Sequence, residues 1–238
     1  MKKGYIIAID GPVASGKGTI AKKLAQKIHA FNFNSGGVYR AYAYKLLQHG
    51  VKTITPETFI TTIHEGDVEI IVKDDSGGFD ITLDGMSVTD VLTTPEISMA
   101  SSTFSKNKYF VEMMSKELRR NAKNHIDAGH GIIMEGRQIG TEVYPDADVK
   151  IFLTADLDTR AKRRLEQYRV KDLSIPLAQV IEETRTRDEQ DMNREFGALP
   201  RYPEQFGYDI IDNSQLNESD TLDAILTVLK NKKIWTDN

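Results

Sequence analysis

A chain of 238 residues, 39% hydrophobic and 28% charged, has the make-up of a globule large enough for one domain with an inserted piece, or for two small domains. Its formal charge of −4 gives no net attraction to nucleic acid or anionic membrane, and the absence of cysteine excludes a disulfide framework, thiolate metal sites and thiol chemistry. The apolar run near the N-terminus is interrupted by Asp10 and no run approaches membrane-spanning length, so a cytoplasmic protein without nucleic-acid or membrane partners is expected.

The first element is a strand, Tyr5 to Asp10, followed by Gly11-Pro12-Val13-Ala14-Ser15-Gly16-Lys17-Gly18-Thr19. Apolar residues at 20, 21, 24, 25 and 28 then keep helical spacing. A phosphate chain needs donors packed more densely than side chains allow. Glycines at 11, 16 and 18 let backbone N–H groups turn inward, the helix adds its unpaired amides and positive dipole end, and Lys17 adds a point charge. The order strand, G-x-x-x-x-G-K, helix is that of a P-loop. Gly18 stands where Ser or Thr would touch Mg²⁺, which leaves Thr19 as the metal candidate.

Farther on, Phe31 to Asn34 leads into Ser35-Gly36-Gly37-Val38-Tyr39-Arg40 and a helical pattern, placing Ser35 and Arg40 at a strand-to-helix junction. Ser35 serves there as a ligand contact or as a helix cap. Between Val51 and Leu92 two strand-like runs, 68–72 and 79–83, are joined by a hairpin loop at 73–78, and a small antiparallel lobe able to close over a substrate is expected. Helical patterns begin at Thr94 and at about Lys106, the second ending near Asp127; buried strands follow at 131–135 and 148–153. The alternation argues for a parallel sheet with helices on both faces. Two more helices are expected, a basic one from Leu157 to Arg169 and one from Pro176 to Arg194, before a last strand at 208–212 and a helix at 220–230. In the second of the pair, Val180, Thr184, Arg187, Asp191 and Arg194 share one face that starts apolar and ends ionic. That face suits a cleft, with the arginines on a phosphate and Asp191 beside a hydroxyl, or else ordinary ion pairing on a helix surface.

A phosphate cradle with scattered arginines and no nucleophile pair points to phosphoryl transfer, with Mg²⁺ held largely by the donor's phosphates and water. The loop ending Gly18-Thr19 is similar to that of nucleoside monophosphate kinases. Asn34 to Arg40, Glu135-Gly136-Arg137-Gln138-Ile139-Gly140-Thr141, Tyr144 to Leu153 and Arg187-Asp188-Glu189-Gln190-Asp191-Met192-Asn193-Arg194 resemble, in that order, the bacterial cytidylate kinase family. The resemblance covers almost the whole chain. It implies an α/β fold, a P-loop kinase core at 1–50, 93–155 and 205–238, an inserted monophosphate-binding β lobe at 51–92 and a helical lid at 156–204. It also implies a small-molecule nucleotide enzyme using ATP and Mg²⁺ to phosphorylate CMP or dCMP, with ATP phosphates on residues 11–19. Ser35, Arg40, Arg137 and Arg194 would surround the acceptor phosphate, Arg187 and Asp191 would serve the sugar side and lid closure, and Lys17, Arg187 and Arg194 would serve the transfer itself. A monomer is expected.

The chain departs from that family's pattern at the base. Gln138 replaces an aspartate and Val111 an arginine there, while Ser102 matches the family's serine; Asn34 for an aspartate is a separate, milder change. An amide in place of a carboxylate loses a charge and gains donors. Losing the guanidinium removes recognition unless Lys106, Lys108 or Arg119 substitutes. Base preference is thus expected to be relaxed or altered. A kinase of another small hydroxyl acceptor, or a nucleotide-binding module without catalysis, are the alternatives.

Overall fold

A computed structural model of the chain describes residues 4–72, 79–170 and 175–236; the hairpin loop expected at 73–78 lies outside them. In chain order the described residues form β1 (Tyr5–Asp10), α1 (Lys17–Ile28), β2 (Phe31–Asn34), α2 (Ser35–Gln48), α3 (Pro56–Thr62), β3 (Val68–Val72), β4 (Phe79–Leu83) and β5 (Met86–Ser87). There follow α4 (Pro95–Phe104), α5 (Lys108–Asp127), β6 (Gly131–Gly136), β7 (Val149–Thr154), α6 (Leu157–Arg169), α7 (Leu177–Met192), β8 (Asp209–Asp212) and α8 (Glu218–Asn231).

β1 is apolar along its length because both of its faces are covered. Ile6 and Ala8 join Phe33, Ile132 and Met134 in a core under α2 and α5, while Tyr5, Ile7 and Ile9 join Ile133, Val149, Ile151 and Leu153 under α1 and α8. All pairings in this sheet are parallel and the strand order is 2-6-1-7-8. Because β1 lies between β6 and β7, the loop after β1 opens at the carboxyl edge of the sheet, where ligands of open α/β folds bind.

The three-stranded antiparallel sheet has order 3-4-5. Its apolar side is not walled off: Val68, Ile70, Ile81 and Leu83 belong to the same core as Tyr42 and Met134. One helix inside this insert, α3, had a local signal that the strand pattern overshadowed, namely Thr55 before Pro56 in a capping box with Thr58. After β6 the chain makes one π-helical turn, Ile139–Val143, whose last carbonyls are held by Arg119 through Nη2 to Glu142 O (2.6 Å) and Nε to Val143 O (2.7 Å). Such turns concentrate at functional sites. Among the described residues no helix is long and apolar enough to cross a membrane.

Candidate active site

The loop from Gly11 to Lys17 is shaped by what its backbone can tolerate. A Cβ on Gly11 would lie 2.0 Å from Leu153 O, and Gly16 has φ +91° at the N-cap of α1. Ala14 also sits in the left-handed region, at φ +57°, a strained state for a residue with a Cβ. Lys17 folds back over the loop, donating to Pro12 O at 2.7 Å and Ser15 Oγ at 3.2 Å. Burial, aided by Arg137, pushes its ammonium well below the ordinary lysine range, against the pull of Glu135, Asp10 and Asp191. A charge held that way gains from an incoming anion.

Facing the loop is a second wall from three distant segments. Asn34 caps α2 by accepting from Gly37 N at 2.9 Å and donates through Nδ2 to Glu135 Oε1 at 2.8 Å; Ser35 Oγ donates to Glu135 O at 2.5 Å. Arg40 projects from α2 with a buried Nε that has no partner, and burial lowers its pKa despite Glu135. From the far side, Arg187 donates through Nη1 to Ser102 Oγ at 2.9 Å. Asp191 accepts from Arg137 Nε at 2.8 Å and Arg194 Nη2 at 2.6 Å, and lies 3.2 Å from Arg187 Nε. It is fully buried and does not line the cavity, in contrast to the hydroxyl contact expected of it.

Between the walls lies a cavity of about 500 Å³. Val13, Ala14, Gly16, Lys17, Gly18 and Thr19 line one side; Ser35, Arg40, Ser102, Arg137, Gln138, Arg187 and Arg194 line the rest. Gly11, Pro12 and Ser15 shape the loop without reaching the cavity. The glycine loop with Lys17 and the arginine cluster therefore open into one space, and the sequence profile of the cytidylate kinase family matches residues 7–231.

The chain belongs to the cytidylate kinase family.

It is accordingly a nucleoside monophosphate kinase, an α/β P-loop kinase with a small inserted antiparallel sheet. It is 35% identical over 220 residues to the cytidylate kinase of Caldicellulosiruptor bescii, covering 92% of this chain and 93% of that one. To the cytidylate kinase of Bacillus subtilis it is 35% identical over 232 residues, covering 98% and 99%. A crystal structure of an uncharacterised protein from Eubacterium ventriosum superposes with a TM-score of 0.53 at 15% identity, covering 95% of this chain and 98% of that one, and shares the fold.

Sequence patterning missed several cavity residues of this cytidylate kinase family member. Glu135 and Asn34 end buried strands, and a charged or amide residue closing an apolar run was the available signal. Ser98, Ser101 and Ser105 line the cavity with Ser102 because they recur on one side of α4 and its C-cap. Asp10, also a strand end, is fully buried and accepts from Gly140 N at 2.9 Å and Tyr208 Oη at 2.6 Å. Its carboxyl is pushed up by burial, with those two bonds opposing.

Tyr39, Leu118, Ile139 and Val143 give the cavity its apolar walls. Gln138 is almost fully buried and donates through Nε2 to Tyr39 Oη at 2.8 Å. Val111 is buried in α5 outside the cavity lining, and none of the three proposed substitutes lines the cavity either: Arg119 holds the π-turn, Lys108 pairs with Glu112 at 3.7 Å, and Lys106 is exposed. Arg187 Nη1, at 2.9 Å from Ser102 Oγ, is a cation on this side of the cavity.

An Mg²⁺ ion fits this site as a guest of the substrates. Thr19 presents an exposed hydroxyl to the cavity, and Glu135 stands beside Gly18, where a Cβ would lie 3.3 Å from Oε1. Among the described residues no group of three or more His, Asp or Glu side chains could hold a metal ion, so Thr19 and Glu135 would need oxygens from a bound ligand or water beside them.

Proposed function

We propose that this chain transfers the γ-phosphoryl group of ATP to a pyrimidine nucleoside monophosphate, first CMP or dCMP, giving CDP or dCDP and ADP. What carries the proposal is the single cavity that joins the Lys17 loop to Arg40, Arg137, Arg187 and Arg194. A guanidinium cluster matches a phosphate acceptor better than the neutral hydroxyl acceptor of other small-molecule kinases. A monomer acting on free nucleotides in the cytoplasm is part of the same reading.

Loop amides from Val13 to Lys17 would bind the donor's β-phosphate, and Lys17 would leave Pro12 O for the phosphoryl oxygens. Arg40, Arg137 and Arg194 would hold the acceptor phosphate in line, with Ser35 at its edge, and Arg187 would join Arg194 in balancing the charge on the moving group. An oxygen of the acceptor phosphate attacks the γ-phosphorus and ADP leaves with the bridging oxygen; the attacking oxygen is already anionic, so no base is needed. Mg²⁺, when bound beside Thr19, supplies charge neutralisation across the donor's phosphates. Segment 156–204 would act as the lid, and Ser102 with Gln138 would face the base and sugar.

A broader base preference is the second reading, favoured by the uncharged amide of Gln138 where the resembled family carries a carboxylate. Gln138 and the α4 serines both donate and accept, and so tolerate either the amino or the carbonyl edge of a pyrimidine. ADP release measured with CMP, dCMP, UMP, AMP and GMP separates these readings. CMP or dCMP turnover supports the first; comparable use of UMP supports the second; release with no monophosphate overturns both.

A further inference from the structure

We infer that Arg160 and Asp188 form a latch that couples donor binding at the phosphate loop to the arrangement of the acceptor arginines on α7. Arg160 rises from the first turn of α6 and its side chain is almost fully buried. One guanidinium serves three segments: Nε donates to Ala155 O at 2.9 Å, just past β7, and Nη1 donates to Val13 O at 3.2 Å in the phosphate loop and lies 2.6 Å from Asp188 Oδ2 on α7.

Asp188 follows Arg187 and precedes Asp191 by three positions, so it sits on the helix that presents Arg187 and the Asp191-bound arginines to the cavity. Its other oxygen, Oδ1, is buried without a partner. A buried carboxylate with one free oxygen costs desolvation energy that one charge-assisted bond only partly offsets. The chain retains this pair where an apolar contact would pack at least as well, and the contact it secures is between the two substrate walls. When donor phosphates settle on the loop and shift the Val13 peptide, the shared guanidinium must move, and α7 with it. Donor binding thereby favours the arginine arrangement that the acceptor needs.

This inference rests on the ATP and CMP assignment above. The experiment measures the CMP dissociation constant of the whole chain by calorimetry, with and without saturating non-hydrolysable ATP analogue and Mg²⁺. Wild type is expected to bind CMP at least about fivefold more tightly with the analogue present. Asp188→Asn, which keeps an acceptor but removes the charge, is expected to bring that ratio to within about twofold of one while CMP binding alone changes less. If Asp188→Asn does not fold, Arg160→Lys does the same work, since a single ammonium on a shorter stem cannot hold Ala155 O, as Nε does, while reaching Val13 O and Asp188, as Nη1 does. An unchanged ratio in the folded variant overturns the latch, as does a wild-type ratio of one with both ligands bound. Failure of wild type to bind either nucleotide would instead sink the assignment of the site, and the latch with it.

Discussion

Arg137 Nε lies 2.8 Å from Asp191 Oδ2 although 54 positions separate the two residues. Through that contact the end of β6 meets α7, and the same carboxylate holds Arg187 and Arg194. Three guanidinium charges are thereby organised around one buried anion. Without it, mutual repulsion would spread the arginines and the site would lose its focus on a single phosphate.

Asp191→Asn should therefore cost both stability and turnover. Breaking a buried ion network by removing one partner is worth about 3 kcal/mol. Burial alone would raise the Asp191 carboxyl, but Arg137, Arg187 and Arg194 outweigh it and hold it below its ordinary 3.8. The stabilisation is thus fully present above pH 3.8 and fades as pH falls through the depressed native value. Thermal melts of wild type and variant should differ most near neutrality and converge below pH 3.8.

Lys17→Ala should leave the fold intact and lower turnover by roughly 10²–10³-fold, because charge stabilisation of the moving phosphoryl group is lost. Steady-state kinetics beside a far-UV circular dichroism spectrum would check this. Retained turnover would count against the donor site at the loop.

Gln138→Asp should sharpen base choice. It restores a carboxylate acceptor for an exocyclic amino group and gives up the bond to Tyr39 Oη. The CMP-to-UMP ratio of kcat/KM is expected to rise about tenfold over wild type. Matched kinetics with both monophosphates read the ratio, and a wild type already as selective as the variant would refute the idea of a relaxed base wall.

Tyr208→Phe removes the 2.6 Å donor to Asp10 and should destabilise the chain by about 1–3 kcal/mol at neutral pH. Burial already raises the Asp10 carboxyl, and the lost bond opposed that rise. For a carboxyl raised in the folded state, stability falls as pH climbs from the unfolded value through the native one. The deficit of the variant should therefore shrink in acid, where Asp10 is protonated, and melts between neutral pH and pH 4 would show it.

Local features were legible in the sequence because local physics decides them. The loop at 11–19 needs only its own glycines, and α6 runs from Leu157 to Arg169 as its pattern indicated. The π-turn at 139–143 was not legible: its carbonyls are held by Arg119 from another helix, and nothing between Ile139 and Val143 announces that. Arg187, Asp191 and Arg194 were recognisable as one face of a helix. That face does not say that Asp191 is enclosed while the arginines reach the cavity, since the enclosing group, Arg137, arrives from β6.

By itself the sequence determined the strand, loop and helix that cradle a phosphate, the alternating α/β order and the family, because each rests on neighbours along the chain or on motif spacing. Only the tertiary structure decided which oxygen each guanidinium holds, that Val111 lies off the cavity wall, and that Arg160 ties the loop to α7. Those outcomes depend on parallel strand order, which places the ends of β1, β2 and β6 side by side, and no local pattern encodes that adjacency.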